Sequence, residues 1–333
     1  MNWFEQFLKS IQTSFLPSQH AFGWFHLIFL FIGIVTCVLV FLFRNKIKTK
    51  GVKWFLIGVW IYLVIDCIFS QVINSFNGID PISGAESWAW RYEFKNFPFQ
   101  VCTGSLFFYL PAALLINAKS RTGKLFKDTF MTFIGTFLFY SAGFLFIYPT
   151  NVMGNNVTTF YAVRTMIFHF SLLVTGFLIL ATRQFKFNVW SFLKASVCFG
   201  ILYVIAIVGN EIYYFAFYQP FANGRDLTQY TKVYVFNLFY VSPHYEFSFL
   251  EPVKKVFTYP QWYWVFIILY YLVMSGGCCA CVYIAFGCDK LSNYIFVKTN
   301  IKCPKCKDHN LVIWRHIGGV QSIVKTSQYV ITN

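Results

Sequence analysis

Hydrophobic residues in this chain come in runs of about twenty, and basic clusters fill every second gap between them. The runs cover residues 22–43, 52–72, 98–117, 129–148, 162–182, 190–211 and 262–286. A helix rising about 1.5 Å per residue needs roughly 20 residues to cross a hydrocarbon layer about 30 Å thick. The pattern therefore predicts an all-α polytopic membrane helix bundle with seven transmembrane helices. Residues 1–20 differ: Phe4, Phe7, Leu8, Ile11 and Phe15 recur at helical spacing among Glu5, Lys9 and Gln12, as in an amphipathic helix lying on a membrane surface. Three regions result: an interfacial helix at 1–20, a seven-helix membrane domain at 21–287, and a basic tail at 288–333.

Composition agrees, with 57% hydrophobic and only 12% charged residues. The formal net charge of +15 is not that of a nucleic-acid binder, because it is concentrated in alternate connections. Arg44, Lys46, Lys48, Lys50 and Lys53 form one cluster; Lys119, Arg121, Lys124 and Lys127 a second; Arg183, Lys186 and Lys194 a third; the tail a fourth. The positive-inside bias then places the N-terminus outside and the C-terminus in the cytoplasm of a multi-pass cell-membrane protein. Membrane lipids are the expected partners and nucleic acid is not; nothing in the sequence fixes an oligomeric state. The ten cysteines lack the even spacing of a disulfide framework, and Cys37, Cys67 and Cys198 read as small buried hydrophobes within apolar runs.

Ionisable groups inside spans are costly and usually face the bundle interior, where they pair or mark a site. With this topology His26, Gln100, Cys102, Arg164 and His169 lie on helices entering from outside, and Asp66, Asn210 and Glu211 on helices returning to it. All eight fall within roughly 12 Å of the outer surface at 1.5 Å per residue. Pro98 reads as a first-turn residue of the third helix, where its missing N–H leaves no acceptor unsatisfied. Thiolate is the attacking form of cysteine, so Cys102 and His169 at one depth suit a nucleophile and its base. Asp66 or Glu211 would orient the imidazole. Gln100 lies roughly 200° around a regular helix from Cys102 and would donate to an oxyanion only if the helix start were irregular. His26, Asp66 and Arg164 would position a head group or charge.

Several of these stretches carry a resemblance. Phe22-Gly-Trp-Phe-His26, Phe97-Pro-Phe-Gln-Val-Cys102, Arg164-Thr-Met-Ile-Phe-His169, Asn210 with the aromatic loop after it, and Pro260-Gln-Trp-Tyr-Trp264 resemble the YwaF-like bacterial integral membrane proteins over residues 17–285. Many of those have His or Gln before the Cys and Leu-Pro-Leu where this chain has Phe-Pro-Phe. More distant vertebrate relatives are lipid acyltransferases or hydrolases with a Cys or Thr nucleophile and a His. The resemblance implies Cys102 as acyl acceptor and His169 as base. The expected function is a lipid-acyl enzyme, acyltransferase or hydrolase, working in the outer half of the bilayer; the alternative is lipid or small-solute binding or transport without catalysis.

No cofactor is expected in the membrane domain. In the tail, Cys303-Pro-Lys-Cys306 followed by His309 and His316 has the ligand types and spacing of one zinc knuckle, without the second Cys pair of a full ribbon. Asn156-Val-Thr158 forms a sequon on the outer side.

Overall fold

The computed structural model describes residues 1–13, 22–79, 86–92, 97–147, 159–185, 189–219, 236–244, 255–256, 258, 260–298, 301–302 and 310–311. The tail residues Cys303, Cys306, His309 and His316, and the sequon at 156–158, lie outside the described residues.

Helix α1 (Trp3–Thr13) is followed by α2 (Trp24–Phe43) and α3 (Thr49–Ser75), which leads into a two-stranded antiparallel hairpin, β1 (Phe76–Ile79) and β2 (Glu86–Trp90). A 3₁₀ turn at Cys102–Gly104 opens α4 (Ser105–Leu115). Next come α5 (Arg121–Phe133) and α6 (Phe139–Ile147), joined without a break by a π-helical turn at Ile134–Leu138. Helices α7 (Thr159–Ala181), α8 (Val189–Tyr213, extended by a π turn to Tyr218) and α9 (Gln261–Lys298) complete the bundle. Helix α9 runs through the boundary expected at residues 287–288. Two short strands, Ile301–Lys302 and Asn310–Leu311, pair beyond it.

Among the described residues six helical spans are long and apolar enough to cross a membrane, α5, the π turn and α6 together making one of them. The seventh expected span is shorter: the helix from Cys102 to Leu115 covers about 21 Å at 1.5 Å per residue. It does not begin at Pro98. Phe97, which precedes the proline, is pushed away from helical geometry, and Thr103 ties its hydroxyl to both the Gln100 N–H (2.7 Å) and the Gln100 carbonyl (2.8 Å). Side-chain bonds of this kind compete with the helix ladder, so regular turns start only at Cys102. The Trp60 indole then donates to the Leu106 carbonyl at 2.8 Å, fastening α4 to α3.

The amphipathic helix α1 rests on protein as well as meeting its surroundings. Leu8 is fully buried against Ile73 and Phe76, with Phe4, Ile11 and Trp88 around them. Gln12 Nε2 donates to the carbonyls of Ile73 and Phe76 (3.1 and 2.7 Å), serving the last turn of α3, whose carbonyls lack intrahelical donors. Lys9 bonds Glu86, and Trp90 donates to Glu5. These contacts gather α1, β1 and β2 at one end of the bundle, the hairpin end. The opposite, basic end carries Arg44 to Lys53, Lys119 to Lys127, Arg183 and Lys194, which follow from the element order.

The core is an aromatic column crossing the bundle. Phe108 meets Phe133 (4.3 Å between ring centroids), Phe133 stacks on Phe137, and Phe137 on Phe199 (4.8 Å). Between membrane helices such interfaces are held by packing rather than by exclusion of water.

Candidate functional site

A short non-helical segment enters the bundle at the hairpin end. Residues 237–242 bury Asn237, Leu238, Phe239, Val241 and Ser242 around a 3₁₀ turn at Leu238–Tyr240. Phe239 places its ring 5.7 Å from Phe99, 5.9 Å from Phe199 and 6.3 Å from Tyr203. Tyr203 and Phe199 lie two and three turns along α8 from Asn210. The segment is therefore re-entrant. Phe239 and Tyr240 both have positive φ (55° and 58°), a region that costs a bulky residue about 1–3 kcal/mol and persists only where surroundings over-determine it.

Those surroundings are amides. Asn210, buried on α8, accepts from Leu238 N–H (2.7 Å) and donates to Leu238 C=O (3.1 Å). Gln100 Nε2 donates to the Asn237 carbonyl (2.9 Å), and Asn237 Oδ1 accepts from Ser242 N–H (2.9 Å). Backbone away from helix geometry is tolerated at membrane depth only when protein or a cavity satisfies it, and here three side-chain amides do so. Glu211, one residue beyond Asn210, bonds His244 at 3.1 Å, and His244 stacks on Tyr214 with ring centroids 3.4 Å apart. Sequence reasoning singled out Gln100, Asn210 and Glu211 but missed Asn237, Phe239 and His244. The partners lie some 30 to 140 residues away along the chain, so no local pattern joins them.

The expected orienting roles change accordingly. Asp66 is held in a two-point pair by Arg164, with Nε–Oδ1 at 2.9 Å and Nη2–Oδ2 at 2.8 Å. Planar guanidinium matches carboxylate in this geometry, and the pair ties α3 to α7. Neither Asp66 nor Glu211 bonds His169. The imidazole is fixed instead by its own helix: Nδ1 donates to the Thr165 carbonyl at 2.8 Å. That bond puts the proton on Nδ1 and leaves the Nε2 lone pair as an acceptor; among the described residues Nε2 has no hydrogen-bond partner.

Cys102 is partly buried at the opening of α4, in the 3₁₀ turn Cys102–Gly104. Arg164 lies within electrostatic range of both Cys102 and His169, and Tyr161 on α7 and Tyr270 on α9 lie within range of Cys102. About two turns deeper, Tyr109 of α4 lies near Thr175 of α7, whose hydroxyl bonds the Ser171 carbonyl. Cys102 is seven residues before Tyr109 and His169 six before Thr175, on two helices running the same way, so the two sit at matching depth. No hydrogen bond joins them.

His26 does different work from the head-group contact expected of it. It is fully buried, its Nδ1 accepts from Phe22 N–H (3.2 Å), and its Nε2 donates to the Phe146 carbonyl (2.8 Å). Both ring nitrogens are committed to closing the start of α2 against the end of α6. The Gln100 Nε2 expected to serve an oxyanion is likewise committed, to Asn237. Among the described residues no group of three or more His, Cys, Asp or Glu side chains is placed to hold a metal ion.

The chain matches no family model, no curated protein and no solved structure.

Proposed function

We propose that the protein is a lipid-acyl enzyme, acyltransferase or hydrolase, with Cys102 as nucleophile and His169 as base. The observation that carries this reading is the His169 tautomer: with Nδ1 held by Thr165, the free Nε2 lone pair lies at the depth of a cysteine set at a helix start. Nucleophile and base are often further apart before substrate binds than in the reacting complex. Charge supports a hairpin end facing outward, since the basic clusters gather at the other end, which puts the site in the outer leaflet.

In the first step Nε2 takes the Cys102 thiol proton while Sγ forms a bond to the ester carbonyl carbon. Backbone N–H groups at the start of α4 would stabilise the negative charge that develops on the carbonyl oxygen. The ester C–O bond breaks, the departing alkoxide recovers the proton from His169, and a Cys102 thioester remains. A second hydroxyl or water, deprotonated by Nε2, attacks that thioester and restores the thiol. The test is acyl labelling of purified protein in vesicles containing radiolabelled acyl lipid. A hydroxylamine-sensitive label is expected on the native chain and none on Cys102→Ala; equal labelling of the two removes Cys102 from the mechanism.

A second reading, solute binding or transport, is favoured by one feature. The short α4 with its non-helical lead-in and the re-entrant segment 237–242 meet at membrane depth, as the interrupted helices of transporters do. Uptake into proteoliposomes that survives Cys102→Ala would favour it over acyl transfer.

A further inference from the structure

The side-chain amides of Gln100 and Asn237 are each half used. Gln100 Nε2 donates to Asn237 C=O and Asn237 Oδ1 accepts from Ser242 N–H. Among the described residues, Gln100 Oε1, an acceptor, and Asn237 Nδ2, a donor, are buried without a hydrogen-bond partner. Asn237 is only 7% exposed. Gln100 Nε2 reaches the main-chain carbonyl of Asn237 at 2.9 Å, so the unused acceptor and donor belong to two residues in direct contact, and Gln100 lies two positions from Cys102 in the chain. Native interiors rarely leave such atoms unpaired. A hydroxyl suits either atom, since its O–H donates once while its oxygen accepts, and a polyol carries several.

Charge narrows the class of ligand. The amides are neutral, and Arg164, the cation in range of Cys102, is matched by Asp66 through two hydrogen bonds. A phosphate-bearing head group would have to break that pair; an uncharged one would not.

We propose that Gln100 Oε1 and Asn237 Nδ2 form a binding site for an uncharged hydroxyl-bearing group, either the polyol head group of a neutral lipid or a free polyol of the same chemistry. Both atoms are closed from the surface, so binding requires a local opening of the packing around them. The proposal names a substrate class for the acyl-transfer reading, and rests on that reading only for the chemistry that follows binding.

Binding is therefore measured on the full chain carrying Cys102→Ala, reconstituted in lipid nanodiscs, with radiolabelled monooleoylglycerol as probe. Oleoyl lysophosphatidic acid is the anionic control and free glycerol the competitor. Saturable binding of the neutral probe is expected, at least tenfold tighter than that of the anionic control. Asn237→Asp keeps an oxygen for Ser242 N–H and loses the Nδ2 donor; Gln100→Met loses the Oε1 acceptor. Each should weaken neutral-probe binding at least tenfold, with an unchanged thermal midpoint showing that the bundle is intact. Displacement by glycerol would assign the site to free polyols, and resistance to glycerol would assign it to a neutral lipid.

Equal binding of neutral and anionic probes, undiminished binding in folded variants, or no binding of any probe, as for a site that holds water alone, would each overturn the proposal. Should both variants fail to fold, the neutral-over-anionic preference of the Cys102→Ala chain decides. Neutral-probe binding without any acyl label on native Cys102 would remove the acyl-transfer reading and leave this site standing.

Discussion

Helix α2 and helix α7 are neighbours of similar length, yet they have opposite surroundings. The apolar window of α2 has a mean hydropathy of 2.8 and is 17% buried inside the protein; that of α7 has 1.8 and is 56% buried. In water the more hydrophobic helix would be the inner one. In a bilayer, lipid tails solvate Leu and Phe as well as protein does, so the polar helix goes inside, where Arg164 pairs with Asp66 of α3. Helix α9 marks the limit of the rule: its mean hydropathy of 1.7 is the lowest of the six, yet it is also only 17% buried, with Trp262 and Tyr263 among the residues it does bury.

That contrast can be broken, and the largest effect is expected at the ion pair. Asp66→Ala leaves Arg164 without its two-point partner, and losing one member of a buried pair costs about 3–5 kcal/mol; thermal unfolding in detergent should show a correspondingly lower midpoint, with partial recovery in Asp66→Ala/Arg164→Leu. Next comes the seam between α7 and the π turn. A Cβ on Gly176 would stand 2.5 Å from Phe139 Cβ and 3.1 Å from the Ile134 carbonyl, too close for backbone to yield, so Gly176→Val should cost about 3 kcal/mol.

Asn210→Leu removes both bonds to Leu238, leaving a backbone N–H and C=O unpaired. A loss of about 1–3 kcal/mol is expected, read locally as faster hydrogen exchange at Leu238 while the α3–α7 pair is unaffected. On the lipid-facing side the sign reverses. Gly58 of α3 has no heavy atom within 4 Å of an added Cβ, so Gly58→Ala should leave stability unchanged or raise it by up to about 1 kcal/mol through helix propensity.

The smallest effect lies outside the membrane, where Asn2 N–H and Trp90 lower the Glu5 pKa, and Trp88 and Lys9 that of Glu86, below the ordinary 4.5. A depressed folded-state pKa contributes stability above the unfolded value and loses it as pH falls through the folded one. Docking of α1 on the hairpin should thus hold at neutral pH and loosen below 4.5, seen as a change in Trp88 and Trp90 fluorescence. Glu5→Gln together with Glu86→Gln should abolish that pH response.

Much of the candidate site was legible residue by residue. Cys102, His169, Arg164, Asp66, Asn210 and Glu211 stand out because a polar group in an apolar run must have a partner. Which partner it has was not legible. Arg164 and Asp66 are 98 positions apart, Gln100 and Asn237 137 apart, and the same polar residues permit several pairings until the helices are placed. His26 shows how the difference matters, since a histidine at a helix mouth reads as a ligand contact and turns out to close two backbone ends.

By itself the sequence determined the membrane class, six of the long helices, and the gathering of basic residues at one end, because each follows from hydropathy and charge counted along the chain. Only the tertiary structure decided that the third apolar run opens four residues late as a short helix, that residues 237–242 turn back into the bundle, and that the carboxylates serve Arg164 and His244 instead of His169. Hydropathy is a property of neighbouring residues. Hydrogen-bond pairing inside a bundle depends on rotations and depths that exist only once every helix has packed.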